Sequence, residues 1–182
     1  MSNSKAASRY AKSLIDLSTE QGSMEAVRAD MASIVSVISA NPLLGAILNN
    51  PIIPLDKKAG ILKDTFSGRV SAGTDLFLKL IVSKGRSSIV FETAKAYLTQ
   101  YNALKGIITA EVTSAIPLTD ANRTEIVTIV KREVGANEVL IKEKVDEKLI
   151  GGFILKVGDR QFDASIASNL NKLKKEFSHG VV

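Results

Sequence analysis

The sequence predicts an α+β protein of two domains, an N-terminal six-helix bundle over residues 1–105 and a small α/β C-terminal domain over residues 106–182. Two observations lead to this prediction. Apolar residues recur every three or four positions before Gly106, which is the period of a helix, and every second position after it, which is the period of a strand. The chain is also long enough, at 182 residues, for each domain to bury its own core.

The first three helices are recognised by apolar stripes at helical spacing and by the residues that end them. Gly22-Ser23 separates the first helix from the second, and a short third helix is predicted from Pro42 to about Leu48. Proline is accepted in the first turn of a helix but not in its interior. The stripes of the first two helices are Ala7, Tyr10, Leu14 and Leu17, then Met24, Val27, Met31, Ile34, Val35 and Ile38.

Three further helices complete the predicted bundle. The fourth begins near Pro54, the fifth covers residues 72–82 and ends near Gly85, and the sixth begins by Ser87. Their apolar faces are Leu55, Ala59, Leu62 and Phe66, then Leu76, Phe77, Leu80 and Ile81, then Val90, Ala94, Tyr97, Tyr101 and Leu104. Six helices joined by short loops are typical of an α-helical bundle.

A membrane span must be considered for the segment from Met31 to Leu55, because its 25 residues carry no charge. A spanning helix needs about 20 apolar residues without a break. Prolines at positions 42, 51 and 54 interrupt this run, and each is expected to end a helix. We therefore predict two short buried helices with a kinked connection, and no direct membrane insertion.

The C-terminal domain begins with a predicted strand and helix. Apolar residues alternate with polar ones in the strand, as expected when one face is buried. Thr119 is the expected N-cap of the helix, and Gly135 is expected to end it. The inward residues are Ile108, Ala110 and Val112 in the strand, and Ile126, Ile129 and Val130 in the helix.

Three more strands and a last helix follow. The second strand contains Val139 and Ile141, the third covers residues 152–157, and Gly158-Asp159 is the expected hairpin turn into a short fourth strand. Asp163 is the expected cap of the last helix. The apolar stripe of that helix is Ile166, Leu170, Leu173 and Phe177.

The residue types exclude several kinds of chemistry. The chain has no cysteine, so thiol catalysis, disulfides and thiolate metal sites are impossible, and its one histidine, His179, lies near the C-terminus. The candidate acid–base pairs are Asp146/Glu147 and Asp159/Asp163. A charged turn explains the first pair, and turn and cap geometry explain the second. We predict no catalytic residue, no cofactor site and no metal site.

The Gly151-Gly152 pair could suggest a phosphate-binding loop. However, neither glycine-rich pattern typical of nucleotide-binding loops surrounds it, and a strand rather than a helix follows. A bulge or a close approach of two backbones at the start of a strand is the favoured explanation.

The net charge of +5 lies in the first part of the chain. Residues 1–105 contain 13 Lys+Arg against 8 Asp+Glu, whereas residues 106–182 contain 11 of each. The basic residues are spread along helices, which favours a solvated surface over a nucleic-acid footprint. The C-terminal domain also lacks the aromatic residues that RNA-binding sheets stack on bases. We predict no nucleic-acid binding and keep a basic RNA-associated adaptor as the alternative function.

The segment 139–158, VLIKEKVDEKLIGGFILKVG, resembles the signature of the delta subunit family of F-type ATP synthases, which includes the mitochondrial oligomycin-sensitivity-conferring protein. Two N-terminal stretches also resemble the family: residues 9–12 followed by Leu14, and residues 77–80 leading into Lys84-Gly85-Arg86. The signature positions that match are Val139, Ile141, Val145, Asp146, Leu149, Gly151, Gly152, Phe153, Leu155, Lys156 and Gly158.

The resemblance implies a non-catalytic stator subunit of the peripheral stalk, which links the catalytic head to the b subunits so that proton-driven rotation is coupled to ATP synthesis. It implies that the N-terminal bundle binds the N-terminal helix of an alpha subunit, and that the C-terminal domain binds the b subunits. One copy per complex is expected, and a monomer when isolated. The absence of a transit peptide favours a peripheral position on the cytoplasmic face of a bacterial membrane.

The resemblance also implies a binding groove between the first and fifth helices. The six residues expected there by matching position are Tyr10, Ala11, Leu14, Phe77, Leu80 and Ile81. Some of the six are expected to belong to the core, because both helices also need an inward face. Apolar anchors at i, i+3, i+4 and i+7 are the usual way to hold a helix in such a groove.

Overall fold

The computed structural model describes residues 3–135, 137–146, 149–158 and 160–179. They form an α+β structure that divides into two compact units, residues 1–101 and 102–182. The predicted boundary between residues 105 and 106 lies slightly further along the chain. The difference arises because the last turn of the sixth helix, which ends at Lys105, belongs to the second unit.

The first unit is helical throughout its regular elements. A 3-10 turn, Ser87–Ile89, precedes the sixth helix, which therefore begins a few residues later than the sequence predicts. The α-helices are α1 (Asn3–Glu20), α2 (Met24–Ala40), α3 (Pro42–Asn49), α4 (Leu55–Phe66), α5 (Ala72–Ser83) and α6 (Val90–Lys105).

Several residues of the predicted apolar stripes point away from the core of the first unit. The side chains of Leu17, Leu55 and Leu76 are 43%, 41% and 69% exposed, so these members of the predicted stripes lie at the surface. The buried positions also include small and polar residues. Ala11, Ser18 and Thr74 are 0%, 1% and 0% exposed on α1 and α5.

Asp30 is a buried charged residue that joins α2 to the start of α5. Its Oδ2 atom accepts hydrogen bonds from the Ser71 backbone N–H at 2.9 Å, the Ser71 hydroxyl at 2.6 Å and the Thr74 hydroxyl at 2.7 Å. Ser71 is itself the N-cap of α5, since its hydroxyl oxygen accepts from the Thr74 N–H. Because one carboxylate oxygen accepts all three hydrogen bonds, Asp30 holds the N-terminus of α5 against α2.

Lys58 is a second buried charged residue and lies on α4. Its Nζ donates to the Leu48 carbonyl oxygen and to the Ser87 hydroxyl, each at 3.1 Å. The Ser87 hydroxyl donates to the same Leu48 carbonyl at 2.8 Å. Because the C-terminal carbonyls of a helix have no partners within the helix, Lys58 and Ser87 together complete the end of α3.

The uncharged segment forms two helices with a sharp bend between them. Among the described residues, no single helix has both the length and the hydropathy of a membrane span, whereas α2 and α3 reach them only together and are bent by 99°. The apolar side chains buried in this pair are Val27, Met31, Ile34, Ile38, Leu44 and Leu48. The prediction of two short buried helices with a kinked connection is confirmed.

The second unit is a four-stranded sheet with the order β2-β1-β3-β4. The first two strands are parallel and are connected through α7, whereas β1 with β3 and β3 with β4 are antiparallel. The elements are β1 (Ile107–Ser114), α7 (Asp120–Val134), β2 (Glu138–Val145), β3 (Phe153–Val157), β4 (Arg160–Asp163) and α8 (Ile166–His179).

The core of the second unit lies between α7 and one face of the sheet. Its fully buried members are apolar and come from β1, α7 and β3: Ala110, Val112, Ile126, Val130, Leu155 and Val157. The predicted ends of α7 are confirmed. The Thr119 hydroxyl accepts from the Asn122 N–H at 3.3 Å, and Gly135 adopts a left-handed conformation with φ of 68°.

Candidate protein-binding site

The six predicted groove residues divide between the core and the surface. Ala11, Leu14 and Ile81 are 0%, 2% and 0% exposed, so they stabilise α1 and α5 from inside and have no surface to offer a partner. Tyr10 and Phe77 are half-buried, and Leu80 is 48% exposed. Only these last three can contact another protein directly, and that role stays a prediction.

Tyr10 and Phe77 bring α1 and α5 together at the surface. Their ring centroids are 6.3 Å apart with an interplanar angle of 66°, which is the edge-to-face arrangement that aromatic pairs prefer. The guanidinium carbon of Arg86 lies 5.5 Å from the Tyr10 ring centroid. Arg86 Nη1 also donates a hydrogen bond to the Tyr10 hydroxyl at 3.2 Å. One aromatic pair therefore connects the two helices that were predicted to form the groove.

Exposed leucines extend this aromatic pair into an apolar surface. Leu76 and Leu80 stand four residues apart on α5, on either side of Phe77, and Leu17 stands seven residues after Tyr10 on α1. Residues at these spacings share a side of a helix. We call this surface the α1/α5 face, and its members are Tyr10, Leu17, Leu76, Phe77 and Leu80.

The sequence places Leu17 and Leu76 in apolar stripes without showing that they are exposed, and it assigns Arg86 no individual role. A signal for the exposure of Leu76 was available, because six of the seven residues 76–82 are apolar. One buried stripe takes about half the residues of a helix, so this density indicates a second apolar side. No comparable signal pairs Arg86 with Tyr10, because the two are 76 positions apart.

The α1/α5 face has no charged side chain among its five members. Its side chains are aromatic and aliphatic, and the ion pair between Lys79 Nζ and Asp75 Oδ2 at 2.6 Å is exposed on the same helix. Within the described ranges, no group of three or more His, Asp or Glu side chains is arranged to hold a metal ion. The face can bury apolar surface against a partner.

Other residues of this chain pack directly against the Gly151-Gly152 pair. A Cβ on Gly152, whose φ is 77°, would clash with the Ala164 carbonyl and lie 2.9 Å from Ser165 Cα. The Ile166 N–H donates to the Gly151 carbonyl at 3.0 Å. The favoured explanation, a close backbone approach at a strand start, is confirmed.

The candidate acid–base pairs can be judged only in part, because Glu147 and Asp159 lie outside the described residues. Asp163 accepts hydrogen bonds from the Ser165 N–H at 2.9 Å and the Ser168 hydroxyl at 2.6 Å. The prediction that Asp163 itself caps α8 needs correction. Ser165 is the N-cap, since its hydroxyl accepts from the Ser168 N–H at 3.2 Å, and Asp163 holds Ser165 in place.

A second apolar surface lies on α8 in the other unit. Ile166, Leu170 and Phe177 are 45%, 55% and 75% exposed, and the partly exposed Ile166 side chain also lies against Gly151. The side chain of Leu173, the fourth predicted member, lies outside the described residues. A long exposed apolar stripe is typical of a helix that binds another protein.

Comparison with known proteins identifies relatives along almost the whole chain. A sequence model of the family described as ATP synthase delta (OSCP) subunit matches residues 6–177. A protein from Cytophaga hutchinsonii described as ATP synthase subunit delta is 42% identical over 182 residues, which is 100% of this chain and 99% of the relative. A protein of the same description from Christiangramia forsetii is 35% identical, over 97% of this chain and 95% of the relative.

A solved structure has the same fold. A chain in the cryo-EM structure of the Toxoplasma gondii mitochondrial ATP synthase hexamer superimposes with a TM-score of 0.70, over 94% of this chain and 96% of that chain, at 16% sequence identity. Because the family match spans both units and the relatives align over nearly their full length, the chain belongs to the ATP synthase delta (OSCP) subunit family.

Proposed function

We propose that this chain is the non-catalytic stator subunit of an F-type ATP synthase and connects the catalytic head to the peripheral stalk. The observation that supports this most strongly is the family match over residues 6–177. Members of this family are structural components of the synthase and not catalytic subunits. The comparisons give no support to the alternative of an RNA-associated adaptor.

We infer that the first unit acts as a six-helix bundle and binds the N-terminal helix of an alpha subunit on the α1/α5 face. Exposed leucines beside an aromatic pair suit an amphipathic helix, whose apolar side would cover them. A stator has to resist torque, so the complex needs slow dissociation. Burial of about 800 Å² on each partner is the usual size of a stable interface.

We infer that the second unit binds the b subunits through α8. Ile166, Leu170 and Phe177 are exposed at the spacing of one helical side, and the docking of Gly152 against Ala164 and Ser165 holds the start of this helix on the sheet. An apolar side of this kind suits a helical partner with an apolar side of its own.

The remaining features of the proposal concern the assembled complex. One copy of the chain would be present in each synthase, and the isolated chain would be a monomer. It would be peripheral, on the cytoplasmic face of a bacterial membrane, and attached through its protein partners.

The test is the substitution Leu80→Asp in the full chain, with a synthetic peptide of the alpha N-terminal helix as ligand. Leu80 is 48% exposed, so the variant should fold normally. Placing a charge under the bound helix should raise the Kd by at least about tenfold, because losing an interface anchor costs roughly 1.4 kcal/mol or more. Isothermal titration calorimetry measures the Kd, and circular dichroism checks the fold.

The matched control is Leu43→Asp on α3, a leucine that is 73% exposed and is not part of the α1/α5 face. It should leave the Kd unchanged. Equal binding by the Leu80→Asp variant and the parent chain would show that the alpha helix binds elsewhere. Unfolding of the Leu80→Asp variant would show that Leu80 belongs to the core.

A further inference from the structure

The backbone of Arg86 is held by hydrogen bonds beside the α1/α5 face. The turn that ends α5 is hydrogen-bonded at each step: the Gly85 N–H donates to Val82 at 2.8 Å and the Arg86 N–H to Ile81 at 3.0 Å. Gly85 has φ of 69°, a left-handed conformation that glycine adopts without strain. The Arg86 backbone therefore follows rigidly from the end of α5.

The chain after Arg86 is fixed as well. The Arg86 carbonyl accepts from the Ile89 N–H at 3.1 Å at the start of the 3-10 turn. The next residue, Ser87, is 3% exposed and is held by Lys58 and the Leu48 carbonyl. An arginine whose backbone is anchored on both sides loses less freedom when its side chain makes a contact.

The side chain of Arg86 makes its contact with α1. It lies 5.5 Å from the Tyr10 ring centroid and donates to the Tyr10 hydroxyl at 3.2 Å. In the described part of the chain, no carboxylate forms an ion pair with Arg86 within 4.0 Å. Tyr10 is thus held by Arg86 and meets Phe77 edge-to-face.

We propose that Arg86 is a positioning residue for partner binding, which holds the Tyr10 ring against Phe77 so that the α1/α5 face is formed before the partner arrives. This inference rests on the proposed function. Arg86 acts through Tyr10. A tyrosine ring already in place costs less entropy on binding than one that has to be ordered.

Two readouts test this proposal in the full chain. The first is binding of the alpha N-terminal peptide to the parent chain and to Arg86→Gln, which should weaken the affinity about fivefold, the size expected of a cation–π contact. The matched control is Lys84→Gln, which removes the same charge from the same turn but contacts no ring in the described structure. It should leave the affinity unchanged.

A double-mutant cycle separates positioning from direct contact. In a Tyr10→Leu background, Arg86→Gln should have no further effect on the Kd, because its action passes through the tyrosine ring. An equal fivefold loss in both backgrounds would overturn the proposal, since Arg86 would then act without Tyr10. The conservative Arg86→Lys variant keeps the charge over the ring and should recover part of the affinity.

The second readout needs no partner. The chain has three tyrosines, Tyr10, Tyr97 and Tyr101, so incorporation of 3-fluorotyrosine gives three fluorine NMR signals. Arg86→Gln should shift and narrow the Tyr10 signal alone, as its ring gains freedom, and Lys84→Gln should not. An unchanged Tyr10 signal would refute positioning even if the peptide binds. If the peptide fails to bind the parent chain while the signal responds, the proposed function fails and the positioning of Tyr10 stands.

Discussion

The first unit places two charged side chains, Asp30 and Lys58, among its packed helices, whereas the buried polar residues in the described part of the second unit, Ser114 and Ser165, are uncharged. Both charged groups have hydrogen-bond partners on other elements. Hydrogen bonds are directional, so such groups select one arrangement of helices from several that would bury similar apolar area.

The second unit obtains its geometry in a different way. Ladder hydrogen bonds fix the register of its four strands, and apolar side chains need only fill the space under one face. A sterically restricted position in this unit is Gly152, where the backbone that precedes α8 contacts the backbone at the start of β3. Buried charged side chains therefore help to fix the helices of the first unit. The second unit combines backbone contacts with uncharged or partly exposed polar groups such as Glu143, which accepts from the Leu118 N–H at 2.6 Å and pairs with Arg123 at 2.6 Å.

The largest expected effect comes from removing the polar centre of the first unit. Asp30→Ala leaves the Ser71 N–H and the Thr74 hydroxyl without this acceptor, whereas the Ser71 hydroxyl can still donate to Thr74 Oγ1 at 3.1 Å. Hydrogen bonds to a charged group contribute about 1.5–3 kcal/mol each, although not additively, so the free energy of unfolding should fall by about 4 kcal/mol. Urea denaturation followed by circular dichroism measures this loss.

Asp16→Ala is the matched control for that experiment, because Asp16 is an exposed aspartate on α1. Its effect should stay within about 0.5 kcal/mol. If Asp30→Ala lowers the free energy of unfolding no more than the control does, the carboxylate is dispensable. In that case buried charged side chains do not fix the helices of the first unit.

A smaller but substantial effect is expected at the backbone contact of the second unit. Gly152→Ala adds a Cβ that meets the Ala164 carbonyl, at a residue whose φ is 77°. Backbone strain at this residue and displacement of the Ala164 carbonyl together should lower the free energy of unfolding by about 3 kcal/mol. Hydrogen exchange of the β1 and β3 amides reports the loss within the second unit.

Gly158→Ala is a close control, because Gly158 also has a positive φ, of 56°, but a Cβ there meets nothing within 4 Å. Only the backbone strain remains, at about 1–2 kcal/mol. Equal losses for the two alanine variants would mean that strain alone accounts for Gly152 and that its contact with Ala164 contributes nothing.

Short-range patterns in the sequence were sufficient to predict most of the helices and strands. The Thr119 cap, the Gly135 terminus and the alternation in β1 depend on residues within a few positions of one another, and each is found as predicted. The Asp30 cluster could not be predicted in this way. Its partners lie 41 and 44 positions away, and the sequence gives no indication of which polar residues meet.

The candidate site illustrates a second limit. Apolar periodicity identifies a stripe but not what covers it, so Leu76 at 69% exposure and Ile81 at 0% looked alike. Small residues such as Ala11 and Thr74 are fully buried on α1 and α5, so part of the inner side of each helix carries no large apolar residue. The stripe of large residues therefore extends beyond the core and onto the surface available to a partner.

The smallest expected effect concerns the pH dependence of the first unit, which contains all three tyrosines of the chain. Tyr101 is 3% exposed and its hydroxyl donates to Glu25 Oε1 at 2.5 Å. Burial, and then the hydrogen bond to Glu25, raise the pKa of Tyr101 to about 12. The folded state therefore holds this proton more tightly than the unfolded chain, in which a tyrosine pKa is about 10.

A tyrosine pKa that is higher in the folded than in the unfolded chain stabilises the folded state. This contribution to the free energy of unfolding is complete below about pH 10 and is lost as the pH rises from about 10 to about 12. Tyr101→Phe has no such proton. The difference in unfolding free energy between the parent chain and this variant should thus be constant up to about pH 10 and then shrink. Urea denaturation at stepped pH measures it. A difference that stays constant up to pH 12 would mean that Tyr101 ionises as readily in the folded chain as in the unfolded chain.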